Sequence, residues 1–271
     1  MEKPFFSFFD DIKNISYEQA YQYFNSCRNL LYYFITEIKN INDGKLVYVY
    51  RARVCGENEK TISNISLVKC REASKITAFG RINKPHQPIF YASGEANTCI
   101  AEIDTQIKDK FKVFEKIDLY VGQWKINRSL NIVVIPDWNN PEMKQFIDYV
   151  ENNEKINNEK IILLKKVNDI FIQNDDNSKI HQITSAFCNV ILDDTIRSKM
   201  EIDGFLYTSV KNAKGYNLGL FPHMFNNQDI ELSSLTKTPL FKDKFDPDVC
   251  NFGNYVLTKD IDMFTGEIIW V

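Results

Sequence analysis

The stretch Phe79 to Ile103, FGRINKPHQPIFYASGEANTCIAEI, constrains this chain most. In one short span it has to be loop, strand, turn and helix. Gly80-Arg81 opens a loop, and Pro85 and Pro88 punctuate it. Ile89-Phe90-Tyr91 is a short apolar run suited to a strand, and Ser93-Gly94 turns the chain. Ala96, Cys99, Ile100 and Ile103 then recur at helical spacing. Three polar residues punctuate the span: Arg81, Tyr91 and Glu102. Glu102 rides beside the apolar stripe, so its carboxylate lies along the edge of a core. An arginine on a loop, a tyrosine on a strand and a carboxylate on a helix can line one cleft. Taken singly, each has a plainer reading. A helical glutamate is usually solvated, Arg81 reads equally as a surface arginine, and Tyr91 as a core aromatic with a wet hydroxyl.

The chain before this stretch begins with a helical pattern over 16–39. Ser16 and Gln19 form a capping-box pair. Ala20, Phe24, Cys27, Leu31, Phe34 and Ile38 then mark one apolar face. Asn42-Asp43-Gly44 is a turn. Leu46 to Val54 is a strand whose alternation puts Val47, Val49, Arg51 and Arg53 on one face. Such a face runs from core to polar rim, and its two arginines read most plainly as edge-strand protection. Residues 55–78 are polar and irregular, a loop over the site.

Beyond it, Val113 to Ile126 is a strand with a bend expected at Gly122, and Leu130 to Ile135 another, closed by Pro136. Asn140-Pro141-Glu142 starts a helix with Asn as cap and Pro at the first position. Met143, Phe146, Ile147 and Val150 are its stripe. Residues 152–159 and 173–178 are polar connections. Between and after them lie two helical patterns: Ile161, Leu164, Val167, Ile170 and Phe171, then Ile180, Ile183, Phe187, Val190 and Ile191. Gly204 to Val210 and Asn217 to Phe221 are short strands. Weaker strand signals follow at Ile230–Leu232, Tyr255–Leu257 and 267–271. Strands and helices alternate imperfectly and no G-x-G-x-x-G follows a strand, which favours α+β over a doubly wound sheet.

Composition excludes several classes. With 44% hydrophobic and 25% charged residues, the chain is that of an ordinary globular protein. Its net charge of −3 and lack of a basic block give no electrostatic footprint for nucleic acid. Cys27, Cys55, Cys70, Cys99, Cys188 and Cys250 contain no C-x-x-C pair, so no zinc site and no metal is expected. No run approaches the ~18 apolar residues of a membrane span. The opening MEKPFFSFFDD has too short an apolar run for a signal peptide. A cytoplasmic protein with free thiols is the expectation. His86, His181 and His223 read as solvated or packed imidazoles, and no nucleophilic triad order is visible.

Two parts of the chain together resemble the RES domain, a bacterial family named for its Arg, Glu and Ser. The front half matches at Gly80-Arg81-Ile82-Asn83, at the Tyr91-Ala92 strand and at Ala101-Glu102. The back half matches at Asp203-Gly204-Phe205-Leu206-Tyr207-Thr208-Ser209, then Gly215, Asn217 and Leu220-Phe221. The Tyr50-Arg51-Ala52 strand resembles the family's start. The resemblance covers roughly residues 46–222.

That resemblance implies an ADP-ribosyltransferase-like mixed β core with flanking helices. It implies an NAD-consuming enzyme, and commonly the growth-arresting toxin of a toxin–antitoxin pair. NAD would be substrate, and a cognate antitoxin protein a partner. Cleaving the nicotinamide–ribose bond passes through an oxocarbenium-like transition state. Glu102 would face that charge. Arg81 and Arg51 would hold the pyrophosphate through the guanidinium fork. Tyr91 would stack on nicotinamide or ribose, Ser209 would hydrogen-bond ribose or phosphate, and Asn83 and Asn217 would assist. The expected organisation is an N-terminal helical extension at 1–45, a RES-like catalytic domain at 46–225 with a helical insertion at about 140–200, and a C-terminal extension at 226–271. An NAD glycohydrolase or phosphorylase is the first reading. A transferase that modifies a macromolecule, and a non-catalytic nucleotide-binding module, are the alternatives.

Overall fold

The computed structural model describes residues 7–30, 35–38, 48–57, 59, 61–144, 146–148, 158–173, 178–197, 199–243 and 250–271. Eleven strands form one sheet. In chain order they are β1 (Ile35–Ile38), β2 (Tyr48–Gly56), β3 (Phe90–Ser93), β4 (Lys116–Ile126), β5 (Leu130–Val134), β6 (Gly204–Thr208), β7 (Tyr216–Leu220), β8 (Ile230–Lys242), β9 (Cys250–Phe252), β10 (Val256–Ile261) and β11 (Ile268–Trp270). The spatial order is β1-β5-β6-β7-β3-β2-β4-β8-β10-β11, with β9 beside β8. The helices are α1 (Tyr17–Ser26), α2 (Ala96–Glu102), α3 (Asp104–Phe111), α4 (Asn158–Phe171), α5 (Ser178–Arg197) and the single turn α6 (His223–Asn226). The molecule is thus α+β, as the irregular alternation of elements implies.

One apolar core takes residues from both halves of the sheet: Phe90, Ile132, Leu206, Leu218 and Leu220 from one half, Val49, Tyr120, Trp124, Leu232 and Leu235 from the other. A flat sheet does not do this, so the sheet bends round that core. On the opposite face of β5-β6-β7, Val133, Phe205 and Tyr207 meet Ala20, Phe24, Val167, Ile183 and Phe187 from α1, α4 and α5. On the opposite face of β2-β4-β8, Val54, Ile117, Leu119 and Leu240 meet Ile103, Ile107 and Phe111. Strand alternation produces this directly, because neighbours in sequence serve opposite cores.

Every described pairing is antiparallel except that of β5 with β6. Parallel neighbours need a crossover of a dozen or more residues. The helices expected as an insertion at about 140–200 supply it, and their apolar stripes cover the sheet. The boundary expected near 225 falls within one continuous sheet, since β8 pairs with β4 along nearly its whole length. Gly122, where a bend is expected, pairs regularly with Arg51 and Leu235; the register against β8 shifts just beyond it, between Gln123 and Trp124, with Ser233 of β8 as the extra residue.

The helix expected over 16–39 is shorter. It starts as the sequence says, with Ser16 Oγ accepting from Gln19 N at 3.2 Å and Gln19 Oε1 accepting from Ser16 N at 2.8 Å. It ends at Ser26, capped by Cys27, and Ile35–Ile38 form β1 against Leu130–Val133. The β-branched run Ile35-Thr36 and an open sheet edge outweigh the helical spacing. Asn140 does cap the next element, accepting from Glu142 N at 3.0 Å, but that element opens as the 3₁₀ turn Pro141–Met143. Met143, Phe146 and Ile147 are buried as expected. Residues 55–78 are irregular but not merely polar: Ile62, Ile65 and Val68 anchor them in the central core. Leu31, Phe34, the Asn42-Asp43-Gly44 turn, Leu46, Val47, Val150 and the connections at 152–157 and 174–177 lie outside the described residues. No helix among the described residues is long and apolar enough to cross a membrane. All six cysteines are free.

Candidate active site

The residues singled out from sequence meet where α2 crosses β3 and β7. Ser93 of β3, Asn217 of β7 and Tyr207 of β6 are in register across three strands. Their side chains therefore share one face. Glu102 is the last residue of α2 and is half-buried above this row. Its Oε1 accepts from Ser209 Oγ at 2.5 Å and from Asn217 Nδ2 at 2.7 Å.

An ionised carboxylate can only accept, which orients the surrounding groups. Asn217 has to present its NH₂ to Glu102. Its Oδ1 then faces Ser93, whose hydroxyl donates to it at 2.6 Å. Ser209 likewise donates to Glu102 and accepts from the Asn212 amide at 3.0 Å. Both donors converge on Oε1, so Oε2 accepts no hydrogen bond from the described residues.

The turn that carries Ser209 packs tightly on α2. Ser209 N donates to Gly215 O at 3.0 Å, and Asn212 Nδ2 donates to Thr98 Oγ1 at 2.8 Å. A Cβ on Gly215 would stand 2.3 Å from Thr98 Oγ1, so only glycine permits this approach. Asn140 ties the same turn from the other side, donating to Gly215 O at 3.0 Å.

Arg51 projects from β2, which pairs with β3 at one position only, Tyr50 with Ser93. Its NH1 donates to Tyr91 O at 2.7 Å, and its guanidinium lies 5.1 Å from the centre of the Phe90 ring. No described carboxylate pairs with it. Burial lowers its pKa to about 10, so it stays charged at neutral pH.

Tyr91 and Asn83 hold each other. The Tyr91 hydroxyl donates to Asn83 Oδ1 at 2.7 Å and accepts from Ile82 N at 3.2 Å. Burial pushes the Tyr91 phenol well above its ordinary pKa. Together they shape the Gly80–Asn83 turn, closed by Gly80 N donating to Asn83 O at 2.9 Å. Arg81, on that turn, donates to Phe171 O at 2.5 Å and to Gln173 O at 2.9 Å. These carbonyls belong to the end of α4, where backbone acceptors lack helical partners and a cation is favoured.

The seven expected residues fall into two groups of contacts. Glu102, Ser209 and Asn217 meet directly. Tyr91 links to Arg51 through its carbonyl and to Asn83 and the Arg81 turn through its hydroxyl. Sequence reasoning missed Ser93, Thr98, Asn212 and Tyr207. Period-two alternation from Tyr91 and from Ser209 points to Ser93 and Tyr207; Thr98 and Asn212 give no comparable signal. His86 is exposed and in the left-handed region at φ 63°, with its ring facing Ala73 O at 3.2 Å. His223 belongs to a different cluster, at Asp203. Among the described residues no group of three or more His, Cys, Asp or Glu is placed to hold a metal ion. No protein-family model matches this chain, and no curated protein matches it.

Proposed function

We propose that this protein is an NAD-consuming enzyme that breaks the nicotinamide–ribose bond, with water or inorganic phosphate as acceptor. The observation that carries the reading is the half-occupied Glu102 carboxylate. Two donors fix Oε1, so the group is rigid, and Oε2 is left for a ligand. A carboxylate held in place costs no reorganisation when positive charge develops beside it. In the proposed step the C–N bonding pair leaves with neutral nicotinamide, and the anomeric carbon becomes oxocarbenium-like. Water then adds and loses a proton to give ADP-ribose; phosphate gives ADP-ribose-1″-phosphate.

Arg51 supports the same reading. A half-buried guanidinium with no carboxylate partner among the described residues is suited to a bound anion, here the pyrophosphate. Arg81, with two donors on the α4 carbonyls, is better suited to holding the wall of the site. The resemblance to RES domains extends the proposal to an ADP-ribosyltransferase-like fold and a cytoplasmic toxin that stops growth by depleting NAD, restrained by an antitoxin protein.

Purified protein incubated with NAD should release nicotinamide, with products resolved by mass with and without phosphate. ADP-ribose attached to a protein or nucleic acid would replace this reading with a transferase. NAD binding without nicotinamide release would replace it with a binding module.

A further inference from the structure

Tyr207 sits in the same face-sharing row as Asn217 and Ser93, yet no role has been given to its hydroxyl. The residue is 3% exposed, and its ring packs on Phe171 at 5.6 Å. The hydroxyl has no hydrogen-bond partner among the described residues. It is also not among the fully sealed atoms without a partner, on Tyr120, Trp124 and Asn168. So it is a polar atom at the end of a buried ring, unpartnered and still accessible. Burying a hydroxyl without a partner costs free energy, and phenylalanine would fill the same space without that cost.

Its surroundings indicate what it faces. Tyr91, Glu102 and Arg81 all lie within electrostatic reach, and burial pushes the phenol well above its ordinary pKa, so it remains an O–H donor. Asn217, the register partner of Tyr207, donates to Glu102 Oε1, and Oε2 has no donor among the described residues. A ligand hydroxyl uses an acceptor and a donor at once, whereas a carbonyl would satisfy only the tyrosine and a cation only the carboxylate. We propose that Tyr207 is a substrate-contacting residue of the Glu102 site whose O–H donates to a hydroxyl of the nicotinamide-bearing ribose. This assignment rests on the NAD reading above.

The test compares wild type with Tyr207→Phe on NAD and on analogues lacking the 2′- or the 3′-hydroxyl of that ribose. Nicotinamide release and thermal melting are both measured. On NAD, kcat/KM should fall about tenfold in the variant, the worth of one hydrogen bond. Melting should be unchanged or higher, since no protein hydrogen bond is lost. One deoxy analogue should be cleaved poorly by wild type and no worse by the variant, because the two deletions remove the same contact. Equal activity on NAD, an equal deoxy penalty in both proteins, or a large drop in melting temperature would each overturn the assignment. Wild type that releases no nicotinamide would instead remove the NAD reading, and the ribose assignment with it.

Discussion

Glu102 and Asp203 are both poorly exposed carboxylates, and the protein treats them oppositely. Asp203 is saturated. Arg128 grips it with both arms, at 2.8 Å to Oδ2 and 2.6 Å to Oδ1; the Asn131 amide donates to Oδ2 at 2.8 Å; and the His223 ring meets Oδ1 at 3.0 Å. Burial pushes its pKa up, but these hydrogen bonds outweigh that and hold the carboxyl well below the ordinary range. Glu102 has two donors on one oxygen and none on the other among the described residues. Asp203 precedes β6 and Ser209, a donor to Glu102, follows it, about 20 Å along the chain at the usual rise per residue. The contrast teaches a criterion. A carboxylate whose acceptors are all filled by protein holds the fold, and one left half-filled and rigid is available to a ligand. Asp203 also opens the back half of the RES-like pattern, so a residue can belong to a motif and serve the sheet instead of the site.

The largest effect should come from emptying both carboxylates of charge. Glu102→Gln keeps an oxygen that can accept from Ser209 and Asn217, so folding should be unchanged. Turnover should fall by about 10²–10³, the usual worth of one electrostatic group at a reacting centre. Normal turnover in the folded variant would remove Glu102 from the reaction. Asp203→Asn should do the reverse. It puts an amide NH₂ among the donors of Arg128 and Asn131, and breaking a buried pair costs about 3–5 kcal/mol. Denaturant melts should show that loss, while nicotinamide release per folded molecule stays near wild type.

The same variant sharpens the pH contrast. A carboxyl whose folded pKa is depressed contributes stability above its unfolded pKa, ordinarily 3.8, and loses it as the pH falls through the lower folded value. Asp203→Asn should flatten this acid limb of the stability profile. An unchanged limb would mean that other groups set it.

A smaller effect should separate the two arginines. Arg51→Lys keeps charge but loses the planar fork, and NAD affinity should fall about tenfold when titrated calorimetrically in a Glu102→Gln background. Arg81→Lys should disturb the α4 end and alter affinity less. A larger loss at Arg81 would return the pyrophosphate to the Gly80–Asn83 turn.

Much of this arrangement is readable from the chain alone, for identifiable reasons. β2, β5, β6 and β7 are apolar runs with Gly, Pro or polar turns near their ends, and the capping box fixes the start of α1. The end of α1 is not readable, because apolar spacing continues to Ile38 while no Gly or Pro stops the helix. β8 was visible only at Ile230–Leu232, since Ser233, Ser234, Thr236, Lys237 and Thr238 hide the strand that pairs with β4. The meeting of Glu102, Ser209 and Asn217 was expected only through family resemblance; spacing does not join residues 107 and 115 positions apart. Nothing local marks Arg128 as the partner of Asp203, 75 positions on. The free hydroxyl of Tyr207 is likewise invisible, because alternation gives its face and not its partners.

The 61–68 segment beside Arg51 is clasped from far along the chain. Ile65 N donates to Gly266 O at 2.8 Å, Ile268 N to Ser63 O at 2.9 Å, and Trp270 Nε1 to Ile62 O at 2.9 Å across 208 positions. Arg53 holds the same segment by donating to Leu67 O. During vectorial synthesis these partners emerge about 200 residues after the segment they hold. Arg51, Glu102 and Ser209 all leave the ribosome well before the clasp does. The 61–68 segment therefore stays unfastened until residue 270 has emerged, long after the strand that carries Arg53.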